Sequence, residues 1–334
     1  MSMTNPISST IDYDANGLQH GFLRVPYSRN DSAWGSVMVP ITQAKNGEGP
    51  GVILTGANHG DEYEGPVALH HLAHSIDAER IRGRVIIVPM MNYPAFQAGT
   101  RVSPIDQLNM NRIFPGKARG TTTRVIADYF SSVLLPMCEY VLDVHSGGKT
   151  LDFLPFSAYH ELADERQQAA CEAATLAFAA PWYLSLIEID AAGMYDTQAE
   201  SMGKVFVSTE LGGGGTTRPE TVEIGKRGVH NFLVHAGALD ADPIAPHADP
   251  VKLDMQQDNA YVFSEHNGLI EPCVDLGDTV ARGDLLARVY STERSGGAPV
   301  EYHAACDGII LGRHFPSLIK TGDFMNVIAR VVRD

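Results

Sequence analysis

Gly51-Val-Ile-Leu-Thr-Gly-Ala-Asn-His59-Gly-Asp-Glu62 decides how the rest of this chain is read. Its first six residues form a short apolar run bounded by glycines, the mark of a strand covered on both faces. The run then breaks into a polar turn with an imidazole and a carboxylate three residues apart. Open α/β sheets gather their ligands at such strand ends. Pro66 follows where a helix can begin. Leu69, Leu72, Ala73 and Ile76 then form a helical stripe.

The same grammar repeats outward. Arg84-Val-Ile-Ile-Val-Pro, Tyr140-Val-Leu-Asp-Val-His145 and Lys204-Val-Phe-Val-Ser-Thr-Glu210 read as strands. Val125, Ile126, Tyr129, Phe130, Val133 and Leu134 mark one helix, and Val222, Val229, Phe232, Leu233 and Ala236 another. Strands alternating with helices predict an α/β fold: a mixed, mostly parallel sheet with helices on both faces. Residues 1–50 read as β-rich, with an alternating run from Gly35 that stops at the Asn46-Gly47 turn. The Pro-, Asp- and Ala-rich stretch 238–250 reads as an edge between a first unit, 1–245, and a C-terminal β unit, 250–334.

That last unit carries an internal repeat. Gly268-Leu-Ile is followed fifteen residues on by Gly283-Asp-Leu, and Gly308-Ile-Ile fourteen residues on by Gly322-Asp-Phe. Two halves of short strands and Gly-Asp turns predict a small, pseudo-symmetric, all-β barrel-sandwich that resembles the biotinyl/lipoyl fold. Such carriers present a lysine between the halves. The corresponding turn here, Ser291 to Pro299, has none, so the expectation is the fold without the carrier function.

Composition narrows the function classes. Of 334 residues, 44% are hydrophobic and 19% charged, enough to build a substantial core. The formal net charge of −15 comes with no Lys/Arg run, which argues against a nucleic-acid partner. Such acidity suits either a salty setting or ordinary solubility. Cys138, Cys171, Cys273 and Cys306 are far apart and form no CxxC, so they read as free thiols in a reducing compartment. The N-terminus shows no signal pattern and no apolar run reaches membrane-spanning length. A cytoplasmic location is the resulting expectation, with a homo-oligomer left open.

His59, Glu62 and His145 together offer two nitrogens and one carboxylate, the usual ligand set of a catalytic zinc with one position left for water. A lone HxxE occurs by chance on polar loops, so the argument rests on several strand ends converging. Asp143 shares a strand face with His145. It reads either as an orienting partner for a ligand imidazole or as a buried loop cap. Glu210 ends an apolar strand and precedes Leu-Gly-Gly-Gly-Gly, where backbone or substrate can approach closely. A carboxylate there can act as general base and then as acid to a leaving amine. The loop Gly99-Thr-Arg101 through Asn109-Met-Asn111-Arg112-Ile-Phe-Pro-Gly116 is rich in donors. Taken alone it reads as a salt-bridged surface loop. Beside a metal site, Arg101 can stabilise an oxyanion, and Asn111 with Arg112 can hold a carboxylate.

His59-Gly-Asp-Glu62, Gly-x-Arg101, Asn111-Arg112-x-Phe-Pro-Gly, Asp143-x-His145 and Glu210 in Thr-Glu-Leu-Gly together resemble the succinylglutamate desuccinylase/aspartoacylase family, over roughly residues 50–240. That family is similar to zinc carboxypeptidases, and the β unit after 250 looks like the one its members carry. The resemblance implies one Zn2+ per subunit on His59, Glu62 and His145, with Glu210 as base. It implies Arg101 as the carbonyl-polarising residue, Asn111 with Arg112 on the substrate carboxylate, and a small N-acyl amino acid as substrate. Relatives often read Asp-Leu before Asn-Arg where this chain has Asn109-Met110, which leaves the subgroup open. Gly21-Phe-Leu-Arg-Val-Pro-Tyr and Gly-Ala-Asn-His-Gly-Asp-Glu-Tyr-Glu-Gly-Pro are similar to a subgroup acting in ectoine breakdown. For that subgroup the implied substrate is N2-acetyl-2,4-diaminobutyrate. The alternatives are a deacylase of N-acetylaspartate or N-succinylglutamate type, and a non-catalytic binding protein on a degenerate scaffold.

Overall fold

The computed structural model describes residues 4–186, 192–256 and 259–332. Residues 1–3 and 333–334, at the ends of the two expected units, lie outside that range. A long mixed sheet organises the chain. The Gly83–Val88, Gly51–Gly56, Tyr140–His145 and Val205–Glu210 strands run side by side and parallel. They are the apolar runs that the sequence marks as strands, and Gly51–Gly56, expected to be covered on both faces, is buried at all six residues. Antiparallel strands flank them: Gly17–Pro26 and Ser36–Asn46 on one side, Phe156–His160 on the other.

Alternation along these strands feeds two cores. Ile53, Ile86, Val141 and Phe206 turn toward Phe130, Leu134 and Tyr195 on one face. Val52, Leu54, Val85, Ile87, Leu142 and Val207 turn toward Leu69, Phe178 and Phe232 on the other. The helices Thr122–Tyr129 and Tyr195–Ser201 thus cover one side, and Glu64–Ser75, Glu165–Phe178 and Pro219–His235 the other. Each fully buried Leu or Phe contributes about 1.5–3 kcal/mol relative to exposure, so the helix stripes hold the two layers against the sheet. The Glu165–Phe178 helix has no counterpart among the sequence expectations. Asp164 caps it by accepting from the Arg166 and Gln167 amides.

The sheet does not stop at the Pro-rich stretch. Trp182–Leu186 pairs in parallel with Val251–Asp254, which pairs with Phe324–Val331 and so leads into Gly308–His314. The internal repeat has a matching architecture. Gly268–Pro272 pairs with Leu285–Tyr290, as Gly308–His314 pairs with Phe324–Val331. Each first strand also takes a two-residue strand from the opposite half: Leu318–Ile319 joins Gly268–Pro272, and Thr279–Val280 joins Gly308–His314. The Gly-Asp turns share one device. The Asp278, Asp284 and Asp323 carboxylates accept from the backbone N–H three residues back, at 2.8, 2.8 and 2.9 Å. The glycine before each has φ of +86°, +95° and +90°, which only glycine adopts readily.

All four cysteines are unpaired; Cys138, Cys171 and Cys306 are buried and Cys273 is exposed. Among the described residues no helix is long and apolar enough to cross a membrane.

Candidate active site

Register brings the site together. Gly56 lies opposite Val144, and His145 opposite Glu210, so three adjacent parallel strands end at one level. The chain leaves the first of them through Ala57, which holds the left-handed φ of +49°. Gly60 then crosses the backbone of Ala95, where a Cβ would come within 2.0 Å of the Ala95 carbonyl carbon. Only glycine permits that approach, and it turns His59 and Glu62 back over the strand ends.

One ligand atom from each of His59, Glu62 and His145 lies within 4.8 Å of the others, and all three residues are buried. Glu62 is central. One of its oxygens is 2.7 Å from His59 Nδ1, and the other is 2.8 Å from His145 Nδ1. Behind His145, its Nε2 is 2.8 Å from an Asp143 oxygen. Asp143 also accepts from the Thr55 hydroxyl at 2.7 Å and the Asn58 amide at 3.0 Å. Asp143 is therefore fixed from three sides and sets the ring plane of His145.

The charges follow from this packing. Burial opposes ionisation of Glu62, yet the His59 and His145 rings outweigh it and hold the carboxyl well below the usual range. Burial lowers His59, whereas Asp143 and Glu62 overcome burial and raise His145 well above an ordinary histidine. Glu210 is pushed up to about 8 by burial and then by the Glu62 charge, with His145 and Arg101 acting against it. Its Oε2 is buried without a hydrogen-bond partner, as is His59 Nε2. Two imidazole Nδ1 atoms facing one carboxylate, beside an unsatisfied buried carboxylate oxygen, fit a divalent cation. The nitrogen and oxygen donor set suits zinc.

His59, His145 and Glu210 open into a cavity of about 430 Å³, which Arg101, Asn111 and Arg112 also line. Arg101 Nη1 stands 3.7 Å from Glu62 Oε1 and its side chain is 45% exposed, so it reaches over the triad from the cavity side. Asn111 is buried and its Oδ1 accepts from the Tyr195 amide at 2.9 Å. Arg112 folds back to donate to the Asn111 carbonyl at 2.6 Å. The rest of the donor-rich loop is structural. Asp106 accepts from the Thr123 amide and hydroxyl at 2.9 and 2.7 Å and so anchors the Thr122–Tyr129 helix. Asn109 accepts from the Asn111 amide.

The glycine run after Glu210 makes room for backbone. A Cβ on Gly213 would sit 2.0 Å from the Leu151 carbonyl oxygen, and one on Gly214 would meet the Phe315 ring. None of the four glycines lines the cavity.

Sequence reasoning missed two parts of the cavity wall. Asp196 and Met194 come from the start of the short Tyr195–Ser201 helix, and Tyr261, Phe263 and Phe324 come from the C-terminal strands. The three aromatic rings lean on one another, with centroids 6.3–6.5 Å apart. No short motif marks any of them. The C-terminal segment therefore shapes the cavity directly.

The pattern of the succinylglutamate desuccinylase/aspartoacylase catalytic domain matches residues 48–236. The chain belongs to this family. A relative in Halomonas elongata, N-alpha-acetyl-L-2,4-diaminobutyric acid deacetylase, is 52% identical over 328 residues, 98% of this chain and 96% of the relative. The product-bound structure of the ectoine utilization protein EutE (DoeB) from Ruegeria pomeroyi superposes with a TM-score of 0.95 at 56% identity. The match covers 98% of this chain and 99% of that one. A succinylglutamate desuccinylase structure from Silicibacter sp. matches with a TM-score of 0.96 at 56% identity, again over 98% and 99%.

Proposed function

We propose that this protein is a zinc-dependent amidohydrolase that removes the acetyl group from N2-acetyl-L-2,4-diaminobutyrate, giving acetate and 2,4-diaminobutyrate in ectoine breakdown. The observation that carries the reading is the convergence of His59, Glu62 and His145, with the two imidazoles and Glu210 opening into one cavity. The full-length similarity to a deacetylase supports the substrate.

In this reading His59, Glu62 and His145 hold one zinc ion per chain. When bound, the ion supplies Lewis acidity, polarising the acyl carbonyl and making a water acidic enough to attack near neutral pH. Glu210 accepts that water's proton on a carboxylate oxygen and passes it to the amide nitrogen as the C–N bond breaks. Glu210 lies opposite His145 in the sheet register and lines the same cavity, which places its carboxylate for both halves of the transfer. Arg101 faces the carbonyl oxygen, where negative charge develops, and its partial exposure lets it follow the substrate in. Asn111 and Arg112 bind the α-carboxylate through paired donors. Asp143 keeps His145 presenting Nδ1 to the cation.

Residues 1–245 act as the catalytic unit. Residues 250–334 form a lipoyl-like β unit without carrier function, and the whole works in the cytoplasm. Metal analysis coupled to acetate release tests the reading. About one zinc per chain is expected, with acetate from N2-acetyl-2,4-diaminobutyrate released faster than from the N4-acetyl isomer or N-acetylaspartate. Zinc content near zero would favour a binding protein, and faster hydrolysis of N-acetylaspartate would move the substrate assignment.

A further inference from the structure

A diaminobutyrate derivative brings three demands to the cavity. Its acylated nitrogen must reach Glu210, its carboxylate must meet Asn111 and Arg112, and its side-chain ammonium must find a negative partner. An ammonium taken from water into a cavity with no counter-charge costs several kcal/mol. The rim already carries two cations, Arg101 and Arg112, which would add repulsion.

Among the described residues lining the cavity, the carboxylates are Glu210 and Asp196. Glu210 is committed to proton transfer. We infer that Asp196 binds the side-chain ammonium of the substrate and sets the enzyme's preference for a basic side chain. This inference rests on the deacetylase reading and adds the residue that chooses among N-acetyl amino acids.

Three observations carry it. Asp196 is 6% exposed although it lines the cavity, so a cation held there is shielded from bulk water. Its Oδ1 accepts from the Thr197 amide at 2.5 Å and the Thr197 hydroxyl at 3.2 Å. The carboxylate is therefore already ordered and loses little freedom on binding. Finally, the amide of the preceding residue, Tyr195, donates to Asn111 Oδ1 at 2.9 Å. The carboxylate clamp and the ammonium subsite are thus braced by one contact, and their separation is fixed. With the amide at the metal triad, this gives the substrate's Cα three distinct attachments, which also selects one enantiomer. The apolar wall beside Asp196, with Met194 as its near neighbour, suits the methylenes between Cα and the ammonium.

A purely structural Asp196 would support the Tyr195–Ser201 helix and matter equally for every substrate. The test separates the two roles. N2-acetyl-2,4-diaminobutyrate is compared with N-acetylnorvaline, its uncharged isostere, on zinc-loaded wild type, Asp196→Asn and Asp196→Glu. Wild type should favour the charged substrate in kcat/KM by about 100-fold. Asp196→Asn should cut that preference below about tenfold while N-acetylnorvaline turnover holds within about threefold, and Asp196→Glu should restore part of it. Equal losses on both substrates, or an unchanged preference, would overturn the subsite. Calorimetric binding of 2,4-diaminobutyrate and norvaline to the same proteins judges the subsite without turnover. Weaker diaminobutyrate binding in Asp196→Asn, with norvaline unchanged, supports it; no difference between the variants overturns it. If wild type releases acetate from neither compound, the deacetylase reading falls, and the binding measurement still decides the role of Asp196.

Discussion

The floor and the outer wall of the cavity are built on opposite principles. The floor, His59, His145 and Glu210 with Glu62 and Asp143 behind them, stands at parallel strand ends, and its two imidazoles are locked to the Glu62 and Asp143 carboxylates at 2.7–2.8 Å. The wall, Tyr261, Phe263 and Phe324, comes from the C-terminal strands, makes ring contacts only loosely, and leaves Phe263 53% exposed. Chemistry that must hold charged groups to a fraction of an ångström sits on the most rigid element available. The part that meets the variable portion of a substrate sits where side chains can adjust.

If that division is right, the largest effect follows from the floor. Glu210→Ala should retain zinc and fold normally, yet lose about 10²–10⁴-fold in kcat, because the proton transfer has no substitute donor nearby. Near-normal hydrolysis by this variant would remove Glu210 from the mechanism. On the wall, Phe263→Ala should lower kcat/KM by less than about tenfold, with the change in KM. Its melting temperature should barely move, since a half-exposed ring buries little apolar surface. A loss as large as that of Glu210→Ala would mean that the wall positions the reacting atoms, and the division would collapse.

The two regions also differ in how far the sequence disclosed them. Strands 51–56, 140–145 and 205–210 were legible because apolar runs end abruptly in polar residues, and the residues of the floor sit at those ends. The C-terminal repeat was legible because Gly-Asp turns have fixed chemistry: a positive φ, then a carboxylate capping the amide three residues back. The Glu165–Phe178 helix escaped because its buried face is built from Cys171, Ala174, Thr175 and Phe178, too little contrast with its Ala-rich remainder. Asp196 and the aromatic wall escaped for a different reason. They join the cavity through contacts spanning many tens of residues, and no local periodicity records that. The glycine run was open to two readings in sequence, and the close approach of Gly213 to Leu151 assigns it to backbone packing.

The smallest effect on turnover, and a direct gauge of the two environments, comes from the thiols. Cys138 is fully buried beneath the central sheet, and burial pushes its thiol up to about 12; Cys171 is pushed up to about 11 for the same reason. Cys273 is exposed in the C-terminal region. A maleimide at pH 7.5 should therefore label one thiol per chain quickly without loss of activity, and Cys273→Ser should abolish that fast phase. The buried thiols should also leave a mark on stability. An ordinary thiol ionises near 9 in the unfolded chain, whereas the folded chain keeps Cys138 protonated until about 12. The unfolded state alone gains from ionisation in between. Stability should thus be indifferent to this group below pH 9 and fall above it by about 1.4 kcal/mol per pH unit, levelling off only as the folded value is reached. Denaturant unfolding of wild type and Cys138→Ala between pH 8 and 10.5 reads the difference, with the alanine variant showing the shallower decline. Parallel declines, or rapid labelling of Cys138 in the native protein, would mean that the central sheet opens to solvent far more readily than its packing requires.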